Sequence, residues 1–187
     1  FENGTMNNFL PDFNSASIFV LGDLMLDTYV WGEVERISPE APIPIVRVFR
    51  RSFQLGGSAN VAANLAGLKC KVILAGVLGL DEPGQKLTSL LKEKNIQSKC
   101  IYAQQFPTIT KTRIMGGHQQ LLRIDEEQPD LLDGKVQSTL FETLTEYIHS
   151  INAVILSDYG KGIFNNNFAQ QCIQLCLKHR IPVFVDP

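Results

Sequence analysis

Four stretches of this 187-residue sequence gather residue types that can hold an oxygen-rich ligand. In Leu55-Gly56-Gly57-Ser58-Ala59-Asn60, paired glycines stand just ahead of a helical pattern. Glycines let backbone come close to a ligand, a helix N-terminus offers unpaired N–H groups, and the Asn60 amide both donates and accepts. A simple turn before a helix has the same signature. In Gly22-Asp23-Leu24-Met25-Leu26-Asp27, two carboxylates follow an apolar run. Ligands of open α/β sheets collect beyond the carboxyl ends of strands, so these acids emerge where a polyol is held; a turn aspartate and a solvated one are the alternative. Leu156-Ser157-Asp158-Tyr159-Gly160-Lys161-Gly162 offers an acid for hydroxyls and a lysine for a phosphate, or else a capped loop with exposed charges. Finally, Lys111, Arg113 and Arg123 lie in segments that read as a hairpin. Alternation puts Lys111 and Arg113 on one strand face, where they meet an anion or blunt a sheet edge.

Other chemistries are missing from the sequence. The Gly-Lys pairs at 134–135 and 160–161 are not followed by Ser or Thr, which excludes a phosphate-binding loop of the GxxxxGK[ST] type, and no GxGxxG follows the first apolar run. His118, His149 and His179 are scattered, without an HExxH pattern. Cys70, Cys100, Cys172 and Cys176 form no CxxC pair, so they read as thiols rather than a disulfide scaffold or zinc site. Cys172, Cys176 and His179 share a helix face and could in principle share a metal, but nothing obvious completes the ligand set.

The elements that must position these residues follow from hydrophobic patterning. Short apolar runs at 18–21, 72–78, 153–156 and 183–185 read as buried strands. Helical patterns lie between them at 58–68, 84–94, 135–150 and 168–179. Such alternation predicts a parallel sheet covered on both faces. Segments 29–53 and 100–125 break the rhythm. They are β-rich, with Gly116-Gly117 read as a hairpin turn, and suit a small second sheet standing off the first. Asn165-Asn166-Asn167 reads as a helix-capping loop. Residues 1–16 are expected to form a disordered or foreign tail, Met6 being a candidate natural start.

Composition narrows the partners. Lys+Arg of 17 against Asp+Glu of 19 gives a net charge of −2, which implies no nucleic-acid partner. No apolar run approaches the roughly 18 residues of a membrane span, and no secretory signal begins the chain, so a cytoplasmic location is expected.

Taken in order, GDLMLD (22–27), RISPEAPIPIV (36–46), GGSANVAANLAG (56–67), PTITKTRI (107–114), QQLLRID (119–125), LSDYGKG (156–162) and PVFVDP (182–187) resemble the ribokinase (PfkB) carbohydrate kinases. GGxxN points to that family at large. RISPEAPIPIV and LSDYGKG are similar to its D-glycero-β-D-manno-heptose 7-phosphate kinases. The resemblance implies an α/β ribokinase-like doubly wound parallel sheet, here truncated, over 17–187, with a small β-sheet lid near 29–53 and 100–125 through which two copies pair as a homodimer. It also implies ATP-dependent phosphorylation of the C1 hydroxyl of heptose 7-phosphate, on the route to ADP-heptose and lipopolysaccharide core. Asp27, Gly56, Gly57 and Asn60 would bind sugar hydroxyls, Asp158 and Lys161 would line the same site, and Arg113, Gln119 and Arg123 would face it from the lid.

The family's Asn-x-x-Glu motif for magnesium and phosphates, and its Gly-x-Gly-Asp motif with the catalytic Asp, do not occur in these residues. The resemblance therefore places the catalytic base beyond Pro187. It assigns ATP and Mg2+ to the complete protein, with neither bound tightly by these 187 residues, which alone are expected to be inactive. Another sugar kinase of the family, or a non-catalytic sugar-phosphate-binding or dimerisation module, is the alternative.

Overall fold

A computed structural model describes residues 12–128, 132, 134–164 and 167–187. Its elements in chain order are β1 (Ser17–Gly22), β2 (Leu24–Ile37), β3 (Pro44–Gly57), α1 (Ser58–Gly67), β4 (Lys71–Ala75), β5 (Val77–Gly79), α2 (Glu82–Glu93), β6 (Gln97–Ser98), β7 (Ile101–Ala103), β8 (Ile109–Gly116), β9 (Gln119–Glu126), α3 (Gly134–Tyr147), β10 (Ala153–Ser157), α4 (Phe168–Lys178) and β11 (Val183–Asp186).

The main sheet runs β11-β10-β1-β4-β6, and all its pairings are parallel. β1 lies at its centre, with Phe19 between Val154 and Ile73. Phe19, Val20 and Leu21 are all fully buried because successive side chains enter opposite layers. Phe19 and Leu21 join Leu140 and Leu144 of α3 and Cys172 and Cys176 of α4. Val20 joins Ala59 and Ala62 of α1 and Leu87 and Leu91 of α2. Each fully buried aliphatic or aromatic side chain contributes roughly 1.5–3 kcal/mol, so the two clusters fix a doubly wound α/β fold. Cys172 and Cys176 are core thiols, and among the described residues no cluster of His, Cys, Asp or Glu could hold a metal ion.

A second sheet, β3-β2-β8-β9, continues from the carboxyl end of the central strand β1. β2 pairs antiparallel with β3 and parallel with β8, which turns back as β9. Its strands begin earlier than residue 29 and end later than residue 53: β2 leaves β1 with only Asp23 between them, and β3 runs to Gly57. The GDLMLD segment is thus strand rather than a loop at a strand end. Leu24, Met25 and Leu26 are buried on both sides where the two sheets meet, which removes the alternation that marks a half-exposed strand.

The hairpin turn is also displaced by one residue. Gly116 remains in β8, paired with Gln119, and Gly117-His118 form the turn, with Gly117 at φ +60°. A Cβ on Gly116 would lie 2.8 Å from Leu121, so this glycine serves close packing and its neighbour supplies the left-handed backbone. Asn167 stands at the α4 N-cap with left-handed backbone and no side-chain capping bond, while positions 165 and 166 of the expected capping loop lie outside the described residues.

α2 is fastened to the second sheet by Asp81. This N-cap carboxylate accepts the Gly84 N–H at 2.8 Å, and it accepts the N–H and hydroxyl of Thr108 at 2.7 Å each. The residue before β8 is thereby held to the start of α2. Among the described residues no helix is long and apolar enough to cross a membrane.

Candidate functional site

The carboxyl end of β1 leads through Asp23 into β2, so Asp27 sits five residues past the end of β1, on one face of the second sheet. In the register of that sheet Asp27 stands beside Gln54 of β3 and Lys111 of β8. Its neighbours on the same face are therefore Tyr29, Lys111 and Arg113, and further along β9 Asp125 and Arg123. Alternation of side chains brings five charged positions from three strands into one stripe.

Gly56 makes room for the acid. A Cβ on Gly56 would lie 2.9 Å from Asp27 Oδ2 and 3.2 Å from the Met25 carbonyl. Gly57, at φ +54° and ψ −137°, turns the chain from β3 into α1, and a Cβ there would lie 2.4 Å from the Asp23 carbonyl. That backbone region is nearly confined to glycine. The Ser58 N–H and hydroxyl both bond the Asp23 carbonyl at 2.9 Å, which seats the start of α1 against the β1–β2 junction. Asn60 follows on the first turn of α1 and is exposed.

Arg113 donates from Nη1 to Asp27 Oδ1 at 2.6 Å, and its guanidinium lies 5.3 Å from the Tyr29 ring centre. The Asp27 bond raises the Arg113 pKa above its ordinary value, against the effect of partial burial. One strand over, Arg123 Nε and Lys111 Nζ each lie 2.9 Å from the Asp125 carboxylate. The Lys111 bond holds Asp125 below the usual carboxylate range.

Asp158 and Lys161 approach from the loop after β10. The Asp158 N–H donates to the Asp186 carbonyl at 2.8 Å, and its Oδ1 accepts the Gly160 N–H at 2.8 Å, closing an Asx turn. Gly160 and Gly162 take φ of +67° and +100°. Lys161 Nζ lies 2.8 Å from the Glu127 carboxylate, which also stands 4.0 Å from Lys111. The lysine is thus drawn to the end of β9, and the loop and the second sheet share one charged border.

The structure brings Asp27, Gly56, Gly57 and Arg113 into direct proximity, and it links Lys161 to the same sheet through Glu127 and Lys111. Arg123 lies on that face but half-exposed, held by Asp125. Gln119 is placed elsewhere: it pairs with Gly116 at the hairpin tip, five register steps from Lys111, or about 17 Å along the strand. Two residues of the border, Glu127 and Tyr29, were absent from the sequence reading as site members. Glu127 was legible only as part of the acidic exit 125–127 after Arg123 and Tyr29 only through alternation with Asp27, whereas Asp23, the first acid of GDLMLD, was read beside Asp27 as a candidate acid for a polyol.

The model of the pfkB family of carbohydrate kinases matches residues 15–187. The chain is 44% identical over 182 residues to the bifunctional protein HldE of Actinobacillus pleuropneumoniae, covering 97% of this chain and 38% of that protein. It is 45% identical over 171 residues to the protein of the same name from Helicobacter pylori, covering 91% and 37%. The chain therefore spans a little over a third of the length of these relatives. Among solved structures, phosphofructokinase-2 from Escherichia coli in complex with fructose-6-phosphate superposes with a TM-score of 0.65 at 21% identity, over 91% of this chain and 54% of that one. A carbohydrate kinase from Agrobacterium tumefaciens does so with a TM-score of 0.64 at 16% identity, over 91% and 53%. At these identities the two structures speak to the fold alone.

Proposed function

Because the chain belongs to the pfkB family of carbohydrate kinases, we propose that it forms the sugar side of a kinase acting on D-glycero-D-manno-heptose 7-phosphate. The transfer would run from the γ-phosphate of ATP to the C1 hydroxyl, giving the 1,7-bisphosphate that leads to ADP-heptose and lipopolysaccharide core. The observation that carries this reading is the Asp27 carboxylate, seated against Gly56, where an added Cβ would crowd it at 2.9 Å, and held by Arg113 at 2.6 Å. RISPEAPIPIV and LSDYGKG, read together with the HldE likeness, support heptose 7-phosphate within the family.

The residues divide the ligand between them. Asp27 accepts hydrogen bonds from ring hydroxyls, and Gly56 and Gly57 let the sugar lie against backbone. Asn60 and Asp158 take further hydroxyls. Arg113 and Lys161 anchor the 7-phosphate, with Arg123 extending the cationic stripe and Gln119 contributing from the lid tip. Both anchors already face carboxylates, Asp27 and Glu127. A phosphate that takes Arg113 therefore frees Asp27 for the hydroxyls, so binding of the phosphate and of the ring are coupled by exchange of partners. ATP and Mg2+ belong to the complete protein in this reading. No step of the transfer is assigned to this chain.

The second sheet serves as lid and as the surface through which two copies pair. Val34, Val48, Leu122 and Ile124 are exposed on the face opposite Asp27. A cytoplasmic site of action fits a soluble sugar phosphate and ATP. ADP release by the complete protein with heptose 7-phosphate, fructose 6-phosphate and ribose tests the substrate. The highest kcat/KM is expected with heptose 7-phosphate, and a preference for either of the others overturns the assignment.

A further inference from the structure

One acid at this end of the sheet lies beneath the site rather than in it. Asp23 is 1% exposed and sits between β1 and β2, beside the point where the chain crosses from one layer of helices to the other. Its Oδ2 accepts the N–H groups of Tyr159 at 2.9 Å and of Lys161 at 3.1 Å. Its own N–H donates to the Ser157 carbonyl at 3.2 Å, and its carbonyl accepts both bonds from Ser58. One residue thus ties together the end of β10, the start of α1 and the loop that bears Asp158 and Lys161.

Two donors spaced two residues apart on a single oxygen mean that the loop is wrapped around that oxygen. The other carboxylate oxygen, Oδ1, is buried and has no hydrogen-bond partner among the described residues. Burial pushes the Asp23 pKa up, and the neighbouring Asp158 charge pushes it the same way, against the N–H bonds of Tyr159 and Lys161. Only one of its two oxygens is used, and a full charge is disfavoured there. The side chain's contribution is an acceptor at a fixed place.

We propose that Asp23 is a positioning residue whose Oδ2, acting as a hydrogen-bond acceptor, sets the 158–163 loop and thereby the placement of Asp158 and Lys161 for the sugar phosphate. This rests on the sugar-phosphate role proposed above for that loop. Asparagine keeps the acceptor and drops the charge, whereas leucine keeps the bulk and drops both.

The test uses the complete protein, with two readouts. Amide hydrogen exchange at Tyr159 and Lys161 reports the loop itself, and the KM values for heptose 7-phosphate and for ATP report the site. Asp23→Leu is expected to speed exchange at both amides and to raise the sugar-phosphate KM about tenfold or more, leaving the ATP KM within about twofold. Asp23→Asn is expected to keep exchange and both KM values within about threefold. In case Asp23→Leu fails to fold, Tyr159→Pro deletes one donor from the loop side, and Tyr159→Ala controls for loss of the exposed ring. The proline variant should reproduce the sugar-phosphate KM rise and the alanine variant should not. Damage from Asp23→Asn equal to that from Asp23→Leu, or unchanged exchange and KM in both Asp23→Leu and Tyr159→Pro, overturns the assignment. A wild-type protein that does not use heptose 7-phosphate refutes the substrate reading alone, because the exchange measurements still decide whether Asp23 sets the loop.

Discussion

Replacing Arg113 by alanine in the complete protein should separate phosphate recognition from sugar recognition, and its magnitude can be worked from the geometry. The Arg113–Asp27 pair is 2.6 Å long, with side chains 22% and 20% exposed. Exposed pairs contribute about 0–1 kcal/mol, and removing one partner of a fully buried pair costs about 3–5 kcal/mol. At one-fifth exposure Asp27 regains some water when Arg113 is deleted, so a loss of about 1–2 kcal/mol is expected. At roughly 2–4 °C per kcal/mol for a domain of this size, the melting temperature should fall by about 2–8 °C.

Ligand affinity should fall further than stability, and selectively. A hydrogen bond to a charged group contributes about 1.5–3 kcal/mol. A bidentate grip on phosphate makes two such bonds but gives up the one to Asp27, leaving a net of about one. Arg113→Ala should therefore weaken heptose 7-phosphate binding roughly 10- to 150-fold, at 1.4 kcal/mol per factor of ten. Unphosphorylated heptose should bind within about threefold of wild type, since Asp27 remains and is no longer engaged. Calorimetric titration of both sugars, paired with a thermal melt, measures all three quantities. Equal losses for the two sugars, or a phosphate-sugar loss under twofold, would refute the role of Arg113 as anchor.

Gly57→Ala meets both a glycine-only backbone region and the Asp23 carbonyl at 2.4 Å, so it should destabilise by about 2–3 kcal/mol, seen as a lower urea midpoint; an unchanged midpoint contradicts the close approach. Asp23 titrates above its usual value of 3.8 when folded, so the folded state holds that proton more tightly and stability falls as pH rises from about 4 through the folded pKa. Asp23→Asn lacks this group, so its unfolding free energy relative to wild type should climb over that window and then level; a flat difference between pH 4 and 7 argues against the burial penalty. Burial holds the thiols of Cys100 and Cys172 at about 11 and about 12, the Cys176 neighbour adding to the latter. Alkylation at pH 8 should therefore run about two orders of magnitude slower for Cys100 and about three for Cys172 in the folded than in the urea-unfolded chain, and equal rates by mass spectrometry would contradict it.

The main sheet was legible in the sequence because its strands are buried on both faces and so read as unbroken apolar runs. Phe19-Val20-Leu21 and Val154-Ile155-Leu156 announce themselves without knowledge of their partners. The helices were legible from their period, and α1 and α4 fall within about a residue of the expected bounds. Much of the candidate site was legible as well, since Gly56, Gly57 and Asp27 differ chemically from everything around them. What these residues touch was not. Asp27 and Arg113 are 86 positions apart and meet only because β2 pairs with β8 in parallel, a register that no local pattern encodes. The same pairing sends Gln119 to the hairpin tip while it keeps Lys111 beside Asp27. Lys161 and Glu127 meet through the packing of a loop against the end of β9, and sequence spacing holds no record of that contact. Asp23 is the clearest case. As a sequence it is one of two acids after Gly22, and only burial between two sheets, with two N–H groups converging on one oxygen, distinguishes the acid bonded to the 158–163 loop from the acid paired with Arg113. Residue type and period decide which segments are strands or helices, whereas long-range pairing and the exclusion of water decide which charges meet.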